Sequence, residues 1–124
     1  MSINYYLVPP KDGSLMAEMT EPIHVAKSSG GWRVLFESYG VDSTRWPTKS
    51  ETDRLRVATV ADVRALMTRA LAEGWTFEDE YGQDTDVEEF WRGVEERQGR
   101  TRHDDPDYTF LSEDGYDFST GPFT

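Results

Sequence analysis

Apolar residues recur along the chain with the spacings of strands and helices, and three strands are predicted before Gly40. The run Ile3–Val8 combines aromatic and branched residues and ends at two prolines, which predicts a short strand. Ile23–Lys27 and Trp32–Tyr39 predict two more strands, joined as a hairpin by the loop Ser28–Gly31.

The loop of this predicted hairpin sets which side chains share a face. A four-residue loop gives three cross-strand pairs, namely Lys27 with Trp32, Val25 with Val34, and Ile23 with Phe36. The face that carries these apolar pairs is expected to turn toward the core. The opposite face is expected to turn outward, and it carries His24, Ala26, Arg33, Leu35 and Glu37.

Two amphipathic helices are predicted in the middle of the chain. Thr59, followed three residues later by Asp62, predicts the start of the first helix, and Gly74 predicts its end. Its apolar stripe is Val63, Leu66, Met67, Ala70 and Leu71. Asp86, again with an acid three residues on, predicts the start of the second helix, which Gly99 ends. Its stripe is Val87, Phe90, Trp91 and Val94.

The remaining strands surround the second helix. Trp75–Tyr81 alternates apolar and polar residues, as a half-buried strand does. Tyr108–Ser112 and Tyr116–Ser119 flank an Asp-Gly turn and predict a hairpin that pairs Leu111 with Phe118. The element order β, ββ, α, β, α, ββ predicts a single acidic α+β domain over residues 1–124. Its two helices are expected to pack on a largely antiparallel sheet built from hairpins.

One stretch has no regular pattern. Gly40–Ala58 is long for a loop of a compact domain, so it is either a binding loop or a mobile segment. Trp46 and Arg45 lie in it, and interfaces are enriched in both residue types, which makes them candidate binding residues. The alternative for Trp46 is that its ring holds this loop against the core.

Charge is distributed unevenly along the chain. The net charge is −11. Residues 1–72 carry nine basic and eight acidic residues, whereas residues 73–124 carry four basic and sixteen acidic ones. The excess is either a solvated surface that keeps the protein in solution or a face that docks on a basic partner. Under the second interpretation the candidate binding residues are Glu78, Glu80, Asp84, Glu88, Glu95 and Glu96.

Other chemistry is poorly supported by the residues. The carboxylates of 78–86 resemble a site for a hard cation, but the glycine and glutamate spacing of a calcium loop is missing, so a solvated strand edge is preferred. His24 lies diagonally close to Glu37 on the predicted hairpin, which suggests either a general-base pair or a packing contact. His103 is expected to be solvated. Cysteine is absent, which excludes disulfides and thiolate sites.

Three short segments resemble those of small uncharacterised proteins of tailed phages and prophages. These segments are the His-x-x-Lys-Ser-x-x-Gly-Trp hairpin that starts at His24, the Asp-Glu-Tyr-Gly turn that starts at Asp79, and the Gly-Tyr-x-Phe ending that starts at Gly115. Ala26 stands where that family pattern has Gly. The resemblance implies a phage-type accessory protein that acts in the cytoplasm of a bacterial host, and it carries no activity.

These observations lead to an expectation about function. The favoured hypothesis is a non-enzymatic protein without metal or cofactor that binds a host protein, itself basic or nucleic-acid-binding, and inhibits it through the acidic half. Neither direct nucleic-acid binding nor a membrane is expected, because the net charge is negative and no apolar run approaches the roughly 18 residues of a membrane span. The alternatives are a homo-oligomeric structural protein and a small metal-assisted enzyme that uses His24 and nearby carboxylates.

Overall fold

A computed structural model describes residues 2–10, 21–40, 55–105 and 107–120. The elements, in chain order, are β1 (Ser2–Val8), β2 (Ile23–Ser29), β3 (Leu35–Glu37), α1 (Val60–Ala72), β4 (Thr76–Asp79), α2 (Val87–Glu96), β5 (Thr109–Leu111) and β6 (Asp117–Ser119). A turn of 3-10 helix, Arg97–Gly99, follows α2 directly. The predicted element order is confirmed.

The described strands form one six-stranded sheet in the order β4-β1-β2-β3-β6-β5. All neighbours are antiparallel except β3 and β6, which run parallel. The chain between β3 and β6 includes both helices, and a parallel pair needs such a long connection. Two helices packed with a mostly antiparallel sheet confirm the predicted α+β class.

Both helices start where the sequence predicts. The Oγ1 of Thr59 accepts a hydrogen bond from the Asp62 backbone nitrogen at 3.1 Å, and the Asp62 carboxylate accepts one from the Thr59 nitrogen at 3.2 Å. This capping box satisfies donors that the first helical turn leaves open. At α2 the Asp86 carboxylate accepts a hydrogen bond from the Glu89 backbone nitrogen at 2.9 Å, a side-chain cap without the reciprocal bond. Gly74, with a φ of 90°, lies just beyond the last turn of α1.

Stacked aromatic rings join the sheet to the helices. Phe36, Phe118 and Phe110 lie on three neighbouring strands, with ring centroids 5.3 and 5.5 Å apart in turn. Trp91 of α2 stacks on Phe36 at 5.8 Å, and the Arg64 guanidinium of α1 lies 4.1 Å from the centroid of the Trp91 ring. These contacts place both helices against one face of the sheet, where Phe36 and Phe118 are fully buried.

The predicted register of the β2–β3 hairpin is wrong. Phe36 pairs with Ala26 and not with Ile23, because the connection between the strands is longer than the four predicted loop residues. Trp32 leaves the hairpin and forms a bridge to Thr101, a contact that local sequence does not encode. The pairing of β1 with β2 also shifts in register, at a bulge. Three side chains predicted to face outward are buried, namely Ala26, Leu35 and Glu37. The shifted register explains Ala26, which pairs with the core residue Phe36, whereas Leu35 and Glu37 alternate with Phe36 and are buried on the other face.

The predicted pairing of the last hairpin is wrong by one residue. Phe118 pairs with Phe110 and not with Leu111. The Ser112 nitrogen donates to the Tyr116 carbonyl at 2.8 Å, which leaves a three-residue loop. Gly115, the last loop residue, has a φ of 91°, and this conformation suits a three-residue hairpin loop. The Asp-Gly pair therefore marks the hairpin correctly but does not set its register alone.

Candidate functional site

A tight turn after β4 presents a tyrosine among carboxylates. The Asp79 Oδ1 accepts hydrogen bonds from the backbone nitrogens of Tyr81 and Gln83, at 2.8 and 3.1 Å. Gly82 has a φ of 78°, a conformation that glycine adopts without a steric penalty. The turn is fixed by its own side chains, and it leaves Tyr81 at 66 % exposure.

Three of the predicted binding residues lie in or beside this turn, namely Glu78, Glu80 and Asp84. A β-bridge brings Glu78 and Asp84 together. Glu78 also accepts a hydrogen bond from the Thr76 hydroxyl. The Glu80 carboxylate accepts from the backbone nitrogen of Asn4 at 2.8 Å, which attaches the turn to β1. Glu80 and Asp84 are exposed, and Glu78 is half-buried.

The other three predicted acidic residues are exposed on α2. Glu88 and Glu95 are seven residues apart, or about 10 Å along the helix axis, so they do not converge on one point. Glu95 accepts a hydrogen bond from the Tyr116 hydroxyl, and this contact with a carboxylate raises the pKa of Tyr116 to about 12. Glu96 follows Glu95 and lies in the last turn of the helix.

Together these carboxylates form an acidic surface in which cations are scarce. The stretch 76–96 holds nine acidic residues and one arginine, which gives a net charge of −8. Its acidic residues, which define the acidic surface, are Glu78, Asp79, Glu80, Asp84, Asp86, Glu88, Glu89, Glu95 and Glu96. None of them forms an ion pair within the part of the chain that the structure describes. The repulsion among them is therefore relieved by solvent and counterions.

Two predicted binding residues, Arg45 and Trp46, lie outside the described residues, as does most of the irregular stretch Gly40–Ala58. The described ends of that stretch are joined, because Tyr39 and Val57 exchange backbone hydrogen bonds of 3.0 and 2.8 Å.

The predicted proximity of His24 and Glu37 is confirmed. The His24 Nδ1 lies 3.9 Å from the Glu37 Oε2, and its Nε2 lies 3.0 Å from the Asn4 Oδ1. Tyr6 stacks on the imidazole with centroids 4.8 Å apart. All four residues lie on the sheet face opposite the helices. A separation of 3.9 Å exceeds a hydrogen bond, so the pair forms an electrostatic contact rather than a proton relay.

The prediction that His103 is solvated is wrong. Its Nε2 lies 2.9 Å from the Arg33 carbonyl oxygen, and its ring stacks on Trp32 with centroids 5.0 Å apart. Its backbone nitrogen donates to Asp117 at 2.6 Å. Because these partners lie more than ten residues away in sequence, the neighbouring acidic residues at 104 and 105 gave a misleading indication.

Sequence reasoning missed a buried carboxylate, Asp117, which is fully inaccessible. The Arg102 Nε donates to it at 3.2 Å, and Arg33 lies 4.0 Å away. The His103 backbone nitrogen is a third contact. The local pattern gave no sign of this burial, because Asp117 alternates with the core residue Phe118 and is expected on the other face of the strand.

Three negative findings bear on function. Across the described ranges, no group of three or more histidine and acidic side chains is arranged to hold a metal ion. None of the helices in those ranges combines the length and apolarity that crossing a membrane requires. Compared with protein families, curated proteins and solved structures, the chain has no match.

Proposed function

We propose that the acidic surface docks on a basic surface of another protein and so modulates that protein. The observation that carries this proposal is the net charge of −8 over residues 76–96. The residues of the acidic surface form no ion pair with any other described residue. A folded protein gains nothing in stability from such repulsion, whereas complementary charge on a partner accelerates association and selects the partner.

Tyr81 supplies what charge alone lacks, an anchor that gains binding energy by burial. Tyrosine is among the residues that dominate binding energy at interfaces, and this one is 66 % exposed on a rigid turn. Exposed carboxylates lie on both sides of it in sequence, at Glu80 and Asp84. An aromatic residue within a charged rim is the usual arrangement of a protein-binding patch.

The proposed partner is a protein of a bacterial host that handles nucleic acid. Such proteins carry basic surfaces, and a row of carboxylates along α2 presents negative charge to them as a phosphate backbone does. The resemblance to phage proteins suggests the bacterial cytoplasm and an inhibitory role. A protein that neutralises a basic toxin would use the same electrostatic attraction. The identity of the captured partner distinguishes this role from inhibition of a host protein.

The experiment is a capture from bacterial lysate with tagged protein at low and high salt, read by quantitative mass spectrometry. The test variant is Asp84→Asn with Glu88→Gln, which removes two exposed charges from the acidic surface. The matched control is Asp104→Asn with Glu113→Gln, two exposed positions elsewhere with the same change in net charge. We expect one stoichiometric partner that is lost at high salt and in the test variant, but kept by the control.

Three other outcomes would contradict the proposal. Equal loss in the test and control variants would show that net charge matters and the surface does not. Capture that is insensitive to salt would exclude an electrostatic interface. Absence of a partner together with a concentration-dependent mass in solution would favour a homo-oligomeric structural protein.

A further inference from the structure

A small pocket on the helix-covered side of the sheet shares one residue, Glu89, with the acidic surface. It lies between α2 and strands β1 and β2, and its volume is about 240 Å³. Phe90 and Val34, both buried, contribute apolar lining. Hydroxyl groups come from Tyr5, Ser28 and Thr85. The lining also includes one cationic side chain, Arg97, and one carboxylate, Glu89. These two charges determine which class of ligand the pocket can bind.

The cation is Arg97, and a glycine makes room for its guanidinium. The Arg97 Nη1 donates to the Gly93 carbonyl at 3.1 Å, so the side chain folds back over the last turn of α2. A Cβ at position 93 would lie 2.7 Å from that Nη1, closer than packed atoms approach. Gly93 therefore leaves room for the guanidinium in this position, and a Cβ there would require it to shift, although glycine weakens a helix relative to alanine.

The guanidinium has unused hydrogen-bonding capacity. Its Nε is buried and has no hydrogen-bond partner among the described residues. The contact with Gly93 is the single hydrogen bond that its five N–H donors make there. A buried donor without an acceptor is unfavourable, and a ligand that supplies oxygen atoms removes that penalty. The geometry therefore points to a carboxylate or a similar oxyanion beside Arg97.

Glu89 provides the opposite charge in the same pocket. It lies four residues before Gly93, on the same side of α2 and about 6 Å away along the axis. The carboxylate of Glu89 forms no ion pair in the described ranges, and Arg97 does not reach it. A multiply charged anion such as phosphate would be repelled by Glu89, whereas a ligand with both charges would satisfy both side chains.

We propose that this pocket binds the zwitterionic head of a free α-amino acid. The carboxylate of the ligand lies against Arg97, and its ammonium group lies against Glu89. Both groups are attached to one α-carbon, so one small molecule offers an acceptor to Arg97 and a donor to Glu89 within the same pocket. The side chain of the ligand packs on Phe90 and Val34, and the hydroxyl groups bind the remaining polar atoms.

The test follows backbone amide shifts by NMR while proteinogenic amino acids are added one at a time at about 10 mM, enough to detect weak millimolar binding. We expect at least one of them to shift the amides of Thr85, Gly93 and Arg97. Acetate and methylammonium, which are the two halves of the zwitterion, are expected to bind at least tenfold more weakly. This pattern would support a site that requires both charges.

The variants separate the pocket from the rest of the surface. Gly93→Ala displaces the guanidinium without a change in charge, and it also raises helix propensity, so the variant is expected to fold. Gly93→Ala, Arg97→Gln and Glu89→Gln are each expected to lower affinity at least tenfold. Arg92→Gln, on an exposed position of α2, is the control and is expected to bind as the parent protein does.

Three results would overturn this inference. The first is that no amino acid shifts the pocket amides at that concentration. The second is acetate binding as tightly as the best amino acid, which would mean that Glu89 plays no part. The third is parent-like affinity in Gly93→Ala. The two proposals stay distinguishable, because Asp84 and Glu88 do not line the pocket, and Gly93→Ala and Arg97→Gln leave every carboxylate of the acidic surface in place.

Discussion

Replacing Asp117 with asparagine tests how much the buried carboxylate stabilises the fold. The change keeps the shape of the side chain but removes the charge that faces Arg102 at 3.2 Å and Arg33 at 4.0 Å. It also replaces the charged acceptor of the His103 backbone nitrogen by a neutral one. The loss should therefore exceed that of a single neutral hydrogen bond, about 1 kcal/mol.

The exposure of the two arginines limits the size of this effect. Breaking a buried ion pair by removing one partner costs about 3–5 kcal/mol when the other charge is left without water. Here the Arg102 side chain is 41 % exposed and that of Arg33 is 21 % exposed, so solvent compensates part of the loss. We expect Asp117→Asn to lower the free energy of unfolding by about 2–3 kcal/mol, out of a typical total of about 5–15 kcal/mol.

Equilibrium unfolding in urea measures this loss, with Asp104→Asn as an exposed control that should change stability by no more than about 0.5 kcal/mol. A double-mutant cycle with Arg102→Gln isolates the pair, and a coupling of about 1 kcal/mol or more is expected. A loss in Asp117→Asn no larger than in the control, or a coupling indistinguishable from zero, would refute the view that Asp117 organises this part of the sheet.

Three further predictions follow from single contacts. Glu95→Gln should lower the pKa of Tyr116 from about 12 toward its ordinary value of 10.0, because the hydrogen bond to a carboxylate is lost; absorbance of the ionised phenol measures it, and an unchanged titration would exclude that bond. Partial burial works to raise the pKa of Asp114, but hydrogen bonds from nearby hydroxyl and backbone groups leave it lower than its ordinary value of 3.8. The stability that it contributes should be complete above its ordinary pKa and disappear as the pH falls through the lowered pKa, so parent and Asp114→Asn should converge in acid-unfolding measurements. Gly40→Ala should destabilise by at least about 1 kcal/mol in thermal unfolding, since Gly40 has a φ of 69° and a Cβ there would overlap the Leu55 carbonyl oxygen; equal stability would contradict the backbone geometry.

The elements of the fold were predictable because local residues determine them. The caps at Thr59 and Asp86 fix both helix starts through hydrogen bonds that span three residues. Registers were less predictable, because they depend on the connection and not on the strands. The β2–β3 pairing was missed because Trp32 leaves the hairpin for Thr101, almost seventy residues away. The parallel pairing of β3 with β6 could not be inferred either, since nothing near either strand encodes it.

The candidate site also has a part that local sequence predicts and a part that depends on long-range contacts. The acidic surface is continuous in sequence, so a count of charges along the chain is enough to find it. The Arg97 pocket is different, because its lining comes from separate parts of the chain and its key residue is a glycine, Gly93, with no chemistry of its own. Long-range contacts also explain why His103 was misjudged, since the carbonyl that holds it belongs to Arg33.

The place of β6 beside β3 has a consequence for synthesis of the protein in a cell. The start of β6, at Asp117, comes 80 positions after the end of β3, at Glu37. At translation rates of about 5–20 residues per second, β6 leaves the ribosome roughly 4–16 s after β3. During that interval the open edge of β3 is available to any other extended chain, and unpaired strand edges promote aggregation. Nascent chains should therefore need protection, such as a ribosome-associated chaperone, until the last hairpin closes that edge.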